Sequence, residues 1–440
     1  MNFEEYWRRF NEVEARHGLL NIKIDGFSIY ALRRVKFYYE VAIALGLFNN
    51  PHPGPSGTQD STETVSLDFS TVPKMPTVVV PFRRKVAGAD PYSATIIEHL
   101  RAKGEEPNVF DWAWASRIQT KARIENRKQL KAPWSSSTFR AKWDAQFEDK
   151  NVVAKWAEII GYFEVEFGVQ LPKLVLPESW FARFKVEVLT FARYFKSAKV
   201  RELYIVDAYS NQQLVIAAHR AGVRVSEIQH GFVSEYHPAY SFPLGSPKLE
   251  HTPDRLLVWG SFWSEGVQLP RGMSAEISGP TQQFSEYREQ VESVARNDKQ
   301  ILFTSQGAIS EELQKAAVAT AKAMPDYEVV YRLHPNEHLE SYPQKGLPAN
   351  FSYSHRTPVF LEMLATCGYL VGAFSTTLYE GLALGAKVLV LPLQGHENMQ
   401  RAVDSGDVTL ISDIKRIPDF IRSAKRATNP DVYYTKESTK

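Results

Sequence analysis

The stretch "RELYIVDAYSNQQLVIAAHRAGVRVSEIQHG", residues 201–231, decides the expected fold. It contains an apolar run, a helical stretch that ends at a glycine, and a second apolar run. Two strands joined by a helix in this way lie parallel in a βαβ unit. The stretch therefore predicts an α/β protein built on a parallel sheet.

The second half of the chain repeats this rhythm. Apolar runs that predict strands are "QILFTSQG" (300–307), "YEVVYRLHP" (327–335), "VFLEMLATC" (359–367), "GYLVGAF" (368–374), "AKVLVLP" (386–392) and "DVTLISD" (407–413). They are nearly continuous in Val, Ile and Leu, which is typical of strands covered by helices on both faces. Together with "TVVVPF" (77–82) and "DRLLVWG" (254–260), they predict two successive Rossmann-like units.

Five segments are predicted along the 440 residues. They are a helical segment at 1–48, a linker or mobile loop rich in Pro, Gly, Ser and Thr at 49–76, a first Rossmann-like unit with a helical insertion at 77–254, a second Rossmann-like unit at 255–425, and a tail at 426–440. The linker composition buries too little apolar surface to order itself firmly.

Composition excludes several classes of protein. A formal net charge of +2 argues against a general nucleic-acid binder. The single cysteine, Cys367, rules out a disulfide framework and a cysteine-based metal site, and its apolar neighbours predict a small core residue. The first residues lack the pattern of a signal peptide, and the longest apolar run, at 38–48, is too short to span a bilayer. We therefore expect a cytoplasmic protein.

A basic cluster lies within the mainly helical stretch 112–195. It has two readings, a solvated helix face or a contact with an anionic lipid or glycan. Its members are Arg117, Lys121, Arg123, Arg127, Lys128 and Lys131.

Polar residues follow the predicted strands in both halves. In open α/β sheets, ligands bind outside the carboxyl ends of the strands, so these residues are expected to converge on one crevice. They include Asp207, His230, Ser305, Gln306, Gly307, Arg332, His334, Ser375, Thr376 and Thr377.

The segment "GAFSTTLYEGLALGAKVLVLP", residues 372–392, predicts a phosphate and ribose site. Ser375, Thr376 and Thr377 place hydroxyls and free backbone N–H groups at the positive end of a helix. Glu380, one turn later, can accept hydrogen bonds from ribose hydroxyls. The alternative is a capping box, in which the hydroxyls and the glutamate serve only the helix end.

Two further segments suit a nucleotide. In "RLHPNE" (332–337), Arg332 and His334 either contact a phosphate or form a core pair and an ordinary loop residue. In "TSQG" (304–307), Ser305, Gln306 and Gly307 either permit close approach of a phosphate or sugar, or form a plain turn.

Candidate catalytic residues lie in the first unit. Asp207 ends an apolar strand, where an unpaired buried carboxylate is costly, so it is either the N-cap of the next helix or a catalytic group. His230 opens the loop "QHGFVSEYHPAYS" (229–241), which is predicted to face substrate. Glu235 and His237 within that loop compete for the acid/base role.

These motifs resemble a known family over roughly residues 200–415. The paired sheets, "RLHPNE" and "FSTTLYEGLALGAKVLVLP" resemble GT-B glycosyltransferases, which implies two Rossmann-like domains facing a central cleft, with extra N-terminal helices here. The resemblance implies that the second unit holds the nucleotide-sugar donor and that the first unit faces the acceptor.

The combination of "EIQHGFVSEYHPAYSFP" (227–243) with the HP motif and the Ser/Thr run is similar to bacterial surface-polysaccharide transferases that use CMP-activated Kdo or sialic acid. That resemblance implies CMP-sugar as donor, no metal or further cofactor, and a capsule, lipopolysaccharide or related glycan or glycolipid as acceptor. It also implies peripheral contact with the inner face of the bacterial inner membrane or with an assembly complex. Alternatives are a UDP-, GDP- or CDP-linked donor, a sugar-nucleotide epimerase, and a non-catalytic glycan-binding protein.

Overall fold

The computed structural model describes residues 1–48, 74, 76–82, 90–111, 128–129, 150–174, 180–335 and 337–436. The chain begins with two helices, α1 (Phe3–Arg16) and α2 (Ile29–Ala44), as the sequence predicts. Asn2 starts α1, because its side chain accepts a hydrogen bond from the Glu5 backbone N at 2.8 Å. Both helices bury aromatic residues against the first unit.

The first unit contains a parallel sheet with the strand order β3-β2-β1-β4-β5-β6-β7 among the described residues. Its strands are β1 (Thr77–Val80), β2 (Asn108–Asp111), β3 (Lys128–Gln129), β4 (Glu202–Val206), β5 (Arg224–Ile228), β6 (Arg255–Val258) and β7 (Ser274–Ile277). The helices around them are α3 (Pro91–Ala102), α4 (Lys150–Phe167), α5 (Trp180–Ser197), α6 (Gln212–Arg220) and α7 (Ser261–Glu265). The opening stretch is thus β4, α6 and β5, a βαβ unit.

The second unit repeats the arrangement with the order β10-β9-β8-β11-β12-β13, again all parallel. Its strands are β8 (Asn297–Thr304), β9 (Glu328–Arg332), β10 (Phe351–Ser354), β11 (Cys367–Gly372), β12 (Lys387–Val390) and β13 (Val408–Leu410). The helices from the connection between the sheets onward are α8 (Gln282–Val291), α9 (Ser310–Ala323), α10 (Phe360–Thr366), α11 (Thr376–Ala383), α12 (Gln400–Asp404) and α13 (Ile417–Ser423). Both orders place the third, second and first strands before the fourth, as in dinucleotide-binding folds. The predicted architecture of two Rossmann-like α/β units is confirmed.

Three details differ from the sequence prediction. The boundary placed at residue 255 falls inside the first sheet, because β6 pairs with β5 and β7 pairs with β6, so neither starts the second sheet. The run at 359–367, predicted as a strand, is the helix α10, which buries Met363 and Leu364 on one side. The sequence does not predict strand β10, because its "FSYS" is half polar, with only the first and last residues buried, and forms no continuous apolar run.

The C-terminal segment returns to the first unit. Tyr433 and Tyr434 are buried against aromatic residues that follow β6. The Trp263 indole donates to the Tyr433 carbonyl at 2.7 Å, and the Thr435 backbone N donates to the Trp259 carbonyl at 3.0 Å. The chain leaves the first unit after β7, and its predicted tail returns to pack against that unit through residue 435.

Some predictions lie outside the described residues. These are the composition-based linker at 49–76, apart from residues 74 and 76, and the basic cluster, apart from Lys128 in β3. Cys367 is fully buried, which confirms a core position. Within the described ranges, none of the helices has the length and apolar character needed to cross a bilayer.

Candidate functional site

The carboxyl ends of the two sheets meet through the loop after β5. The Ser234 hydroxyl donates to the Asn398 side-chain oxygen at 2.9 Å, and the Phe232 ring lies 5.5 Å from that of Tyr379 on α11. Because all strands are parallel, the residues after β4 and β5 open towards this junction, as do those after β8, β9, β11 and β12. The candidate site is the cleft between these strand ends.

Asp207 directly follows β4 in the left-handed backbone region, with φ 62° and ψ 58°. A non-glycine residue in this region is strained, and such strain concentrates at functional sites. The turn is held by Asn211, whose side-chain amide donates to the Asp207 carbonyl at 2.8 Å. The Asp207 side chain makes no capping hydrogen bond to the following helical turn, so the N-cap alternative does not describe it.

A second carboxyl group, Glu227 on β5, supports this turn and was missed from the sequence. It is 1 % exposed, and its Oε1 accepts from the Ala208 backbone N at 3.0 Å and from the Tyr240 hydroxyl at 2.9 Å. Burial, helped by the charge of Asp207 and opposed by the two hydrogen bonds, raises the pKa of Glu227 to about 8. The only sequence signal was a charged residue inside the apolar strand "RVSEI".

His230 lies beside this pair, after β5. Its Nε2 is 3.4 Å from the Tyr209 hydroxyl, and its ring centroid is 4.8 Å from that of Phe82 after β1. Burial lowers the pKa of His230 to about 4, so its imidazole is neutral near pH 7. Asp207, Glu227 and His230 therefore occupy one region, with Tyr209 between the turn and the imidazole.

Glu235, the third candidate, lies elsewhere. It is half-buried in a cavity shared with Trp7 of α1 and Arg401 of α12. Burial raises the pKa of its carboxyl group, Arg401 opposes this shift, and Asp404 and Glu4 add to it. His237, its competitor in the loop, is half-buried, and its Nδ1 accepts from the Ala239 backbone N at 3.2 Å.

In the second unit, the residues after β8 are tied to their neighbours. The Ser305 hydroxyl donates to Glu337 Oε1 at 2.9 Å and accepts from the Tyr331 hydroxyl at 2.9 Å. The side-chain oxygen of Gln306 accepts from the backbone N of Phe374 at 3.0 Å, and Gly307 begins a short helical turn. These contacts link the loops after β8, β9 and β11 into one rim.

The HP motif splits into two environments. The Arg332 guanidinium donates to Ser354 Oγ at 2.7 Å and to the Pro358 carbonyl at 3.0 Å, which directs it towards β10 and α10. Burial lowers the pKa of Arg332. His334 is half-buried, and its backbone N donates to Glu337 Oε2 at 2.6 Å. Glu337, which sequence reasoning did not select, thus joins the Ser305 and His334 loops.

The hydroxyl run begins α11. Ser375 is the N-cap, and its Oγ accepts from the Thr377 backbone N at 3.2 Å and from the Thr377 hydroxyl at 2.9 Å. Thr376 is half-buried at the first helical position. Glu380 lies at the fifth helical position, too far along for a capping box, which needs the carboxylate at the third. The cap accounts for Ser375 but leaves Glu380 to be explained.

Glu380 follows the hydroxyl run on α11. It is half-buried, burial raises its pKa to about 7, and it has no hydrogen bond or ion pair with the described residues. The charge of Glu380 contributes to the raised pKa of Tyr434. The buried hydroxyl of Tyr434 has no hydrogen-bond partner in the described part of the chain. Tyr434 stacks on Trp259 at 5.2 Å, Trp259 lies 6.4 Å from Tyr92, and Tyr92 lies 6.2 Å from His230. This aromatic series connects the two halves of the site.

A metal site is absent from the part of the chain that the structure describes, in the sense that no three His, Cys, Asp or Glu side chains converge there. The structure thus groups Asp207 with His230, groups Ser305, Gln306 and His334 on a second rim, and connects Glu380 to His230. It directs Arg332 and Glu235 away from these groups.

Comparison with known proteins yields matches only among solved structures. No protein-family model and no curated protein sequence matches the chain. A UDP-N-acetylglucosamine 2-epimerase shares 15% identity at a TM-score of 0.46, over 83% of this chain and 94% of that one. A Neisseria meningitidis UDP-GlcNAc 2-epimerase bound to UDP-GlcNAc shares 13% identity at a TM-score of 0.44, over 82% of this chain and 96% of that one. The spinosyn rhamnosyltransferase SpnG, complexed with spinosyn aglycone, shares 17% identity at a TM-score of 0.44, over 79% of this chain and 91% of that one. At TM-scores below 0.5, a function has to be argued from the residues of this chain.

Proposed function

We propose that the chain is a glycosyltransferase that takes a sugar from a nucleotide-sugar donor bound in the cleft. The observation that carries this proposal is the placement of Glu380. A half-buried carboxylate that has no partner among the described residues, one turn after a hydroxyl-rich helix start, suits the ribose and phosphate of a nucleotide. The aromatic series from Tyr434 to His230 supports a position for the transferred sugar between Glu380 and the carboxyl pair.

In this proposal the second unit holds the nucleotide. Glu380 accepts hydrogen bonds from the ribose hydroxyls, and Thr376 at the start of α11 faces the phosphate. Thr377 donates to Ser375 through both its backbone N and its hydroxyl, so we assign it the support of this helix start. His334 adds a donor to the departing phosphate. Arg332 is engaged by Ser354 and Pro358, so we assign it the support of the loop after β9 rather than a phosphate contact.

The first unit supplies the acid/base groups. The raised pKa of Glu227 keeps that carboxyl group protonated near pH 7, so a negative charge on Asp207 has no charged carboxylate beside it. Asp207 can then accept the proton of an acceptor hydroxyl as the new glycosidic bond forms. The neutral His230 can hydrogen-bond the sugar without repelling a cation-like anomeric carbon.

The finer form of the proposal is a CMP-linked ulosonic acid such as Kdo as donor, with a bacterial surface glycan or glycolipid as acceptor. The motifs at 227–243, 332–337 and 375–380 support it by resemblance. Stabilisation of the departing CMP by helix N-termini and His334 would then carry much of the rate without a metal. Peripheral contact with a membrane belongs to the same proposal.

A thermal-shift panel with CMP, CDP, UDP and GDP tests the donor site. A compound that binds only the folded state stabilises it by about 2.7 kcal/mol at a hundredfold excess over its Kd. We expect CMP to raise the Tm most, and Glu380→Gln to shrink that shift. The exposed Glu312→Gln on α9 is the matched control. If no nucleotide raises the Tm of the wild type, the proposed function is wrong.

Turnover of CMP-Kdo tests the chemistry. We expect Asp207→Ala and His334→Ala each to slow CMP release in the presence of acceptor, because they act on the acceptor and on the leaving group. Near-full turnover by both variants would exclude the assigned roles. Product formation without any acceptor would favour an epimerase instead.

A further inference from the structure

A cavity of about 680 Å³ lies where α1 packs against the loop after β5 and against α12. Its wall carries Trp7 and Asn11 from α1, Glu235 and Leu244 from the loop, and Arg401 from α12. The proposed donor site uses none of these residues. Since the loop starts at His230, the cavity is one loop segment away from the cleft.

The cavity wall carries one more carboxylate than it has arginines to pair with. Arg8 is paired with Glu12 on the same helix face, and Arg401 lies 3.8 Å from Glu265. Glu235 makes no hydrogen bond and no ion pair within 4 Å among the residues that the structure describes. The wall therefore carries two arginines and three glutamates, and Glu235 is the glutamate that forms no ion pair among the described residues. This arrangement disfavours an anionic occupant.

The half-burial of Glu235 without a partner is costly in the empty protein. Burial raises the pKa of its carboxyl group, and the neighbouring charges of Asp404 and Glu4 add to the shift, whereas Arg401 opposes it. A carboxylate in this position gains most from O–H donors, because such charge-assisted hydrogen bonds are short and strong. Sugar hydroxyls are donors of this kind, and a planar carboxylate can accept from two adjacent ones.

One side of the wall is apolar and extends to the surface, and the side chains of Asn11, Ser241 and Gln268 add polar groups elsewhere in the wall. Trp7 is half-buried, and Phe242 and Pro243 line the same cavity. At the rim, Leu244 is 89% exposed. A wall that combines aromatic rings with polar groups suits a sugar, because aromatic rings pack against the C–H face of a pyranose and polar groups bind its hydroxyls.

We propose that this cavity, the Glu235 pocket, binds a sugar of the acceptor other than the one whose hydroxyl reacts at Asp207, and that this sugar is an uncharged pyranoside that carries an apolar aglycone. Adjacent hydroxyls of the pyranose bind Glu235, its apolar face contacts Trp7, and the aglycone leaves over Leu244. The word acceptor rests on the proposed function, whereas the binding chemistry rests on the pocket alone. Glu235 thereby becomes a substrate-binding residue of the acceptor rather than the acid/base group.

Three probes test the pocket by saturation-transfer NMR: octyl β-D-glucoside below its micelle concentration, methyl β-D-glucoside and methyl β-D-glucuronide. We expect affinity to fall in that order for the wild type, because the second probe loses the aglycone contact and the third adds a negative charge. Glu235→Gln should weaken both glucosides by about tenfold or more, the effect of a lost hydrogen bond to a charged group. Leu244→Ser, at an exposed position that folding tolerates, should reduce the advantage of octyl over methyl by about threefold.

Glu312→Gln is the control, and CMP and UDP thermal shifts are measured on every variant. Equal binding of the probes to wild type, Glu235→Gln and Leu244→Ser would overturn the pocket, as would no binding at all. Loss of the nucleotide shift in Glu235→Gln would overturn it too, since the residue would then belong to the donor site. If no nucleotide binds but the glucosides follow the expected pattern, the proposed function fails and the pocket stands.

Discussion

Replacement of Glu227 by glutamine should make the protein markedly more stable than the wild type at alkaline pH. Both hydrogen bonds at this position go to a single oxygen, Oε1, from the Ala208 backbone N and from the Tyr240 hydroxyl. The carbonyl oxygen of glutamine can accept both, so the substitution removes the titration while the contacts remain. The variant therefore isolates the protonation of Glu227.

The magnitude follows from the pKa. Burial raises the pKa of Glu227 from 4.5 to about 8. Each pKa unit corresponds to about 1.36 kcal/mol, so the full difference between folded and unfolded chains is on the order of 5 kcal/mol. Because the folded state binds this proton more tightly, its contribution is fully present below the unfolded pKa. It is lost as the pH rises through the folded pKa.

Urea denaturation at pH 5, 6, 7 and 8 measures this effect. The free energy of unfolding of Glu227→Gln minus that of the wild type should rise by about 1.4 kcal/mol per pH unit, the slope of one proton. Glu312→Gln reports the loss of one exposed carboxylate alone. A difference that stays flat between pH 5 and pH 8 would show that Glu227 is already ionised in the folded protein, and the roles assigned to the carboxyl pair would fall with it.

Four further substitutions test packing and helix capping by urea denaturation. Arg34→Met strands the buried Glu14 and should cost about 3–5 kcal/mol, much of it recovered by adding Glu14→Gln; a loss below about 1 kcal/mol would contradict this. Gly260→Ala brings a Cβ within 2.2 Å of a backbone oxygen in the C-terminal segment and should cost about 1–3 kcal/mol. Gly161→Ala, with open space around it, should instead gain up to about 1 kcal/mol, and equal effects would refute the steric argument. Ser375→Ala removes the N-cap of α11 and should cost about 1 kcal/mol, whereas no loss would show that the cap is dispensable.

Periodicity and strand ends were the features of the fold that could be read from the sequence. The apolar runs within 201–231 and at 386–392 are nearly continuous, which is typical of strands covered by helices on both faces. The structure places the strands formed by these runs in parallel sheets. The run at 359–367 was misjudged because a short apolar segment fits a buried helix as well as a strand. The unit boundary was misplaced because strands β6 and β7 join the first sheet, and pairing partners leave no local trace in the sequence.

The candidate site was predictable where a residue follows a strand. Asp207, His230 and Ser375 are positioned by strand ends, which sequence patterns locate. Glu227 and Glu337 were not selected, since their roles come from hydrogen bonds to loops distant in sequence. Arg332 illustrates the reverse case, in which a side chain beside a strand end turns towards neighbouring elements.

The loop that joins the cleft to the Glu235 pocket is held from two sides, which couples the N-terminal helices to the chemistry. From α2, the buried Arg34 guanidinium donates to the Ser241 carbonyl at 2.8 Å and to the Pro238 carbonyl. From β5, Glu227 accepts from Tyr240 between them. A substitution of Arg34 or of Glu227 should therefore shift the same loop residues, 238–241. Because this loop joins His230 to the Glu235 pocket, we expect both to be affected. Ionisation of Glu227 leaves its hydrogen bonds to Ala208 and Tyr240 in place, because a carboxylate accepts them at least as well, but it buries a second negative charge beside Asp207. The folded state should therefore lose stability above pH 8, and any activity that depends on this turn should decline there even when its substrates do not titrate.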